Sequence, residues 1–126
     1  MSVEMKSGLV VNSAPVLAAV PEPGAGELEL AAVLAALSDP VRLKIVAELQ
    51  ARAEVPCGTF DVPVARSTLS HHLRVLREAG VTRTRIDGVE RFVRLRTEDL
   101  EARFPGLLPS VLAAVAPKRR KDSAKR

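Results

Sequence analysis

Apolar positions recur along this chain with two periods, and the change between them falls at one glycine. Between residues 66 and 80 the period is helical. With Leu69 set at zero and about 100° added per residue, Leu73 and Leu76 fall within about 40° of it, and His72 and Ala79 flank the same arc. Ser67, Ser70, His71, Arg74 and Glu78 gather on the opposite side. One face is suited to packing; the other is short, hydroxylated and basic. Gly80 stops the helix, because glycine takes the positive φ of a helix terminus without steric cost. Beyond it the period falls to two. Residues 81–86 and 89–96 are rich in Val, Ile and Thr and flank Asp87-Gly88, which predicts a β-hairpin turning at that dipeptide.

Upstream, Leu30, Val33, Leu34 and Leu37 stand at i, i+3, i+4 and i+7, predicting a first helix over 27–37 with Glu27 and Glu29 at its positive end. That stripe is broad for a surface helix in a small domain, which suggests sharing with a partner chain. Ser38-Asp39-Pro40 joins a cap residue to a proline at the first helical position, so a second helix starts there and runs to about Ala51. It is expected to bury Val41, Ile45, Val46 and Leu49 and to turn Arg42 and Lys44 outward. Residues 52–63, punctuated by Gly58 and Pro63, read as a loop with at most one helical turn. Downstream, Thr97 is expected to cap a helix opening on Glu98 and Asp99; Pro105-Gly106 interrupts it, and an amphipathic piece continues to about residue 116. The expected organisation is a flexible arm over 1–26, with an apolar segment at 16–20 that docks, a folded domain over 27–117, and a basic disordered tail over 118–126.

Composition narrows the class. In 126 residues there are three Phe and no Trp or Tyr, so the core must be aliphatic. One cysteine, Cys57, excludes an intramolecular disulfide and suits a reducing compartment. No run approaches the ~18 apolar residues of a membrane span, and Glu4 beside Lys6 is no signal-peptide start, so a cytoplasmic protein is expected. The net charge of +4 is unevenly placed. Residues 64–96 hold eight arginines against three acids, and residues 118–126 hold six basic residues against one. Two positive blocks, one coinciding with the two-faced helix, point to a polyanionic partner.

The chemistry on offer is recognition. A helix presenting small donors and acceptors near its N-terminus, with arginine further along, suits a DNA major groove. Arg66, Ser67, Thr68, Ser70, His71 and Arg74 are the expected DNA-binding residues of the helix. Arg83, Arg85 and Arg91 are those of the hairpin; with Arg94 they make up the wing's arginines, of which alternation turns about half to DNA and leaves the others solvated or paired with Glu90 or Asp87. His72 belongs to the core. No enzyme is expected: there is no nucleophile with a base and an orienting third group, no Gly-rich phosphate loop and no paired carboxylates. No cofactor or metal is expected either. Two other readings use the same residues: a protein-interaction module whose basic tail holds an acidic partner, and a thiol-based redox regulator acting through Cys57.

Residues 36–46, Ala-Leu-Ser-Asp-Pro-Val-Arg-Leu-Lys-Ile-Val, resemble the "ALSDPxRLxIL" opening of the ArsR/SmtB family of winged-helix repressors. Residues 67–80 resemble its recognition-helix signature, "S-x-x-S-x-H-L-x-x-L-x-x-A-G", and the arginine-bearing hairpin stands in the wing's place. The resemblance covers roughly residues 28–116. It implies a mostly α winged helix-turn-helix with a small β-hairpin, in the order α-α-α-α-β-β-α, dimerising through its first and last helices. It also implies a homodimeric repressor on a pseudo-palindromic double-stranded operator. Metal-sensing members carry a cysteine pair before the recognition helix, or Asp, His and Glu ligands in the last helix. Here the first place offers Cys57 alone, and residues 107–116 contain no His, Asp, Glu or Cys. One thiolate falls short of the three or four ligands such a site needs, so the resemblance is to a non-metal-sensing branch with an unassigned signal.

Overall fold

A computed structural model describes residues 22–115; the segment at 16–20 and the tail at 118–126 lie outside the described residues. The described chain forms helices α1 (Leu30–Leu37), α2 (Pro40–Ala51), α3 (Arg66–Ala79), α4 (Thr97–Arg103) and α5 (Leu107–Val115). Between them run strands β1 (Val55–Pro56), β2 (Thr82–Asp87) and β3 (Glu90–Leu95). Single 3-10 turns lie at Ala25–Glu27 and Cys57–Thr59. None of these helices is long and apolar enough to cross a membrane.

Asp39 starts α2 as its sequence predicts. Its Oδ1 accepts the backbone N–H of Val41 at 2.8 Å and of Arg42 at 3.1 Å, satisfying two donors that have no helical acceptor. Burial pushes the Asp39 carboxyl up, but the Arg42 and Val41 amides and then the Arg42 charge outweigh it and leave the pKa below the ordinary carboxylate value. Ile45, Val46 and Leu49 are buried and Lys44 is exposed, as expected. Arg42 departs from expectation. It turns inward, donating from Nε to the Ala36 carbonyl at 2.6 Å and meeting His72 Nδ1 at 3.0 Å through Nη1. The Ala36 carbonyl lies near the C-terminus of α1, where intrahelical donors run out, and a guanidinium supplies one.

Helix α1 begins three residues later than its periodicity suggests. Glu27 closes the preceding 3-10 turn by accepting the Gly24 N–H at 2.8 Å, and Leu28 and Glu29 are extended. The extension lets Leu28, 1% exposed, reach the core. It lies over Gly80, whose φ of 88° closes α3. Within α1, Val33 and Leu37 are buried, whereas Leu30 and Leu34 stay 47% and 44% exposed. At the other end of the fold Arg96, not Thr97, holds the cap position of α4 and makes no side-chain cap bond. Arg96 is buried instead, donating from Nε to Asp99 at 3.0 Å and from Nη1 to the Pro23 carbonyl at 2.7 Å. Helices α4 and α5 are separated at Pro105-Gly106, with Gly106 at φ 82°.

The hairpin carries a third strand. β1 pairs antiparallel with β3, Val55 opposite Val93, giving the order β1-β3-β2. Two residues, one of them proline, are too short to show alternation. Of the four helices expected before the hairpin, the third, between α2 and α3, is reduced to the 3-10 turn at Cys57. Asp87 pairs with Glu90, so the turn residues are Gly88 and Val89, one place later than Asp87-Gly88. Gly88 has φ 66° and Val89 does not have positive φ, the pattern of a type II′ turn. The buried set is aliphatic, joined by Phe60, and gathers residues from every helix and from the sheet.

Candidate nucleic-acid interface

Helix α3 forms for local reasons. It has a leucine stripe, no internal Gly or Pro, and a left-handed glycine to close it. Leu69, Leu73 and Leu76 are buried as the wheel requires. The six residues assigned to DNA on this helix, Arg66, Ser67, Thr68, Ser70, His71 and Arg74, are all exposed. The cap position belongs to Ala65, which has no side-chain acceptor, so the first turn presents backbone donors and the positive end of the dipole outward.

The two histidines separate. His71 is exposed and His72 is 8% exposed, with ring centroids 5.6 Å apart. Because the Arg42 guanidinium donates only, the 3.0 Å contact requires His72 Nδ1 to accept, placing the ring proton on Nε2. His72 therefore joins α3 to the start of α2.

The three hairpin arginines do not act together. Thr84 pairs with Val93, Arg85 with Phe92 and Ile86 with Arg91, so Arg91 shares a sheet face with Thr84 and Ile86, while Arg83 and Arg85 share the other. Arg83 is half-buried against Glu22 at 2.8 Å and lies 3.9 Å from Asp99. Arg85 grips Glu54 through two nitrogens at 2.9 and 3.1 Å and lies over the Phe92 ring at 4.7 Å. The Arg85 hydrogen bond holds the Glu54 carboxyl below its ordinary value, and Arg85 is raised in turn. Both arginines are thus engaged by carboxylates from outside the hairpin. Arg94, across from Arg83, is exposed.

Arg91 meets α3 across an open cavity of about 370 Å³. Arg66, Ser70 and Arg77 line it from the helix, Thr84 and Arg91 from the sheet, and Cys57 from the 3-10 turn. Arg77 was not among the expected binding residues; on the wheel it lies about 20° from Arg66, which was the available signal. Burial pushes the Cys57 thiol up, with Arg91 and Arg77 only partly offsetting it. Among the described residues no three of His, Cys, Asp or Glu are grouped as metal ligands.

The family model for a helix-turn-helix domain matches residues 37–85, from the end of α1 into β2. The HTH-type transcriptional regulator YceK of Bacillus subtilis is 36% identical over 84 residues, covering 64% of this chain and 84% of that protein. A biofilm growth-associated repressor of Agrobacterium fabrum is 36% identical over 88 residues, covering 68% of this chain and 74% of the repressor. One from Xylella fastidiosa matches at the same identity over 75% of its length. Among solved structures, an ArsR-like transcriptional regulator from Rhodococcus sp. RHA1 superposes with a TM-score of 0.51 at 31% identity, over 71% of this chain and 90% of that one.

Proposed function

The chain belongs to the ArsR family of winged helix-turn-helix DNA-binding transcriptional regulators, and on that premise we propose that it is a cytoplasmic homodimeric repressor releasing a pseudo-palindromic operator on a non-metal signal. The carrying observation is α3, whose exposed arc of Ser67, Ser70, His71 and Arg74 backs onto a fully packed leucine stripe. Short hydroxyls let the helix approach base edges; Arg74 reaches guanine or phosphate, and the uncapped first turn receives a phosphate. Arg91 extends the positive surface toward the wing.

A dimer is supported by α1 and α5. Leu30 and Leu34 are left exposed on α1, and on α5 Leu108 is buried while Leu107, Val111 and Leu112 are only partly covered by the core. Joining these faces in two copies removes that surface from water and sets two α3 helices toward successive major grooves, about 34 Å apart along the duplex. Repression is supported by similarity to the two biofilm growth-associated repressors. A non-metal signal is supported by Cys57 having no second thiolate beside it and by its raised pKa, which also disfavours the redox alternative, since thiolate is the reactive form.

The test is selection of bound sequences from random duplex DNA, followed by Arg74→Ala and His71→Ala. Both residues are exposed, so thermal stability should hold while affinity for the selected site falls at least about tenfold, the loss expected for a bidentate base contact. Unchanged affinity in the double variant refutes the placement of α3 in the groove.

A further inference from the structure

The cavity between α3, the Cys57 turn and β3 has a composition that phosphate binding does not explain. Its charged lining is cationic throughout: Arg66, Arg77 and Arg91, with no Asp or Glu. Its floor is apolar, formed by Phe60, Leu69 and Leu73, each 8% exposed. A phosphate of the DNA backbone needs only the cations. An apolar floor beneath a ring of guanidinium groups fits a ligand with an anionic head and a hydrocarbon body. The volume of about 370 Å³ lies at the small end of pockets that hold such molecules, roughly 300–1,000 Å³.

We propose that this cavity is an effector site for a small amphipathic carboxylate, and that filling it withdraws Arg66 and Arg91 from DNA. The carboxylate accepts hydrogen bonds from Arg66 and Arg91, a pairing favoured by the planar, forked guanidinium. The hydrocarbon body lies against Phe60, Leu69 and Leu73 and gains mainly from its own removal from water. Cys57 on the wall stays a neutral thiol, since burial raises its pKa, and so does not repel the anion. The site spans the two elements that face the duplex. Arg66 opens α3, and Arg91 stands on β3 beside the turn at Gly88-Val89. A bound carboxylate engages both arginines, offsets one of their two positive charges and occupies the space between helix and wing. Ligand binding stands independently of the repressor reading; the release step rests on it.

The experiment titrates the full-length, ¹⁵N-labelled chain with octanoate, octanamide and inorganic phosphate, following the amides of Gly58, Ser70 and Thr84. Octanoate should shift them saturably at sub-millimolar concentration, with octanamide weaker by about tenfold, the ratio set by losing one charge-assisted contact. Arg91→Gln should weaken octanoate by a similar factor, and Arg74→Ala should leave the titration unchanged. Thermal melting of Arg91→Gln separates lost binding from lost folding. No saturable shift with octanoate, or equal shifts with phosphate, overturns the proposal. A second arm measures affinity for the selected DNA with and without octanoate. Wild type should lose affinity in octanoate, and Arg91→Gln should respond less. A chain that binds octanoate and ignores all DNA upholds the carboxylate site while refuting the release step and the repressor reading together. A chain that binds its operator and never binds octanoate refutes this proposal alone.

Discussion

Gly80 shows how much a single residue decides here. It holds φ at 88°, and a methyl group there would run into Leu28 Cδ2 and press on Pro23 Cγ. Gly80→Ala should therefore destabilise by about 2 kcal/mol or more, combining left-handed strain with displacement of a core leucine, as read by chemical denaturation. The glycine was legible as a helix stop; that the same atom makes room for Leu28 was not, because 52 positions separate the two in sequence. Asp39 carries a pH signature. Its folded pKa lies below the unfolded value near 3.8, so its stabilisation is fully present above about pH 4 and is lost as pH falls through the folded pKa. Asp39→Ala should cost about 1 kcal/mol at pH 7 and progressively less below pH 4, whereas Asp39→Asn should be nearly neutral, since asparagine caps as well. Unfolding midpoints across pH 3–7 check both.

Among the elements, α3 was the most legible. A helix whose buried and exposed arcs are cleanly segregated tells its roll from its own sequence, and the division of His71 from His72 followed from that roll. The wing was half legible. Moving the turn from Asp87-Gly88 to Gly88-Val89 shifts the pairing by two residues, so every side chain keeps its face. Parity alone puts Arg83 and Arg85 on one side and Arg91 on the other. What alternation does not contain is the carboxylates that come from elsewhere, Glu22 to Arg83 and Glu54 to Arg85. This has a consequence for DNA. Glu22→Gln should release Arg83, raising operator affinity severalfold and steepening the salt dependence of binding by up to about 0.9 in log–log slope. The stability cost should be small, since Arg83 is 43% exposed and its pairs are screened. Affinity measured from 50 to 200 mM salt decides it; an unchanged slope means that Arg83 does not reach phosphate even when freed.

For the whole molecule, the exposed leucines of α1 and the half-buried face of α5 matter most. Leu30→Glu with Leu34→Glu places charge on a surface proposed to meet its own copy. Sedimentation should then show a monomer of 13.5 kDa that keeps its helical content. Binding to a palindromic site should fall far more than binding to a half-site, because two linked helices act at high effective concentration and one does not. A dimer that survives both substitutions moves the interface elsewhere.

The sequence by itself determined the helices with strong caps or clean periodicity, the glycine stop, the existence of the hairpin, the aliphatic core and the positive central block. Each depends on residues within about one turn or one strand of one another, where propensity and period act directly. Tertiary structure alone decided the late start of α1, the inward turn of Arg42, the two-residue β1, the cap position of Arg96 and the engagement of Arg83 and Arg85. All of these depend on partners brought together from distant parts of the chain, and an unsatisfied carbonyl or an unpaired charge has no periodicity to betray it. The cavity beside Cys57 belongs to the same class: Arg66, Arg77 and Arg91 line one space only because α3 and β3 fold against one another.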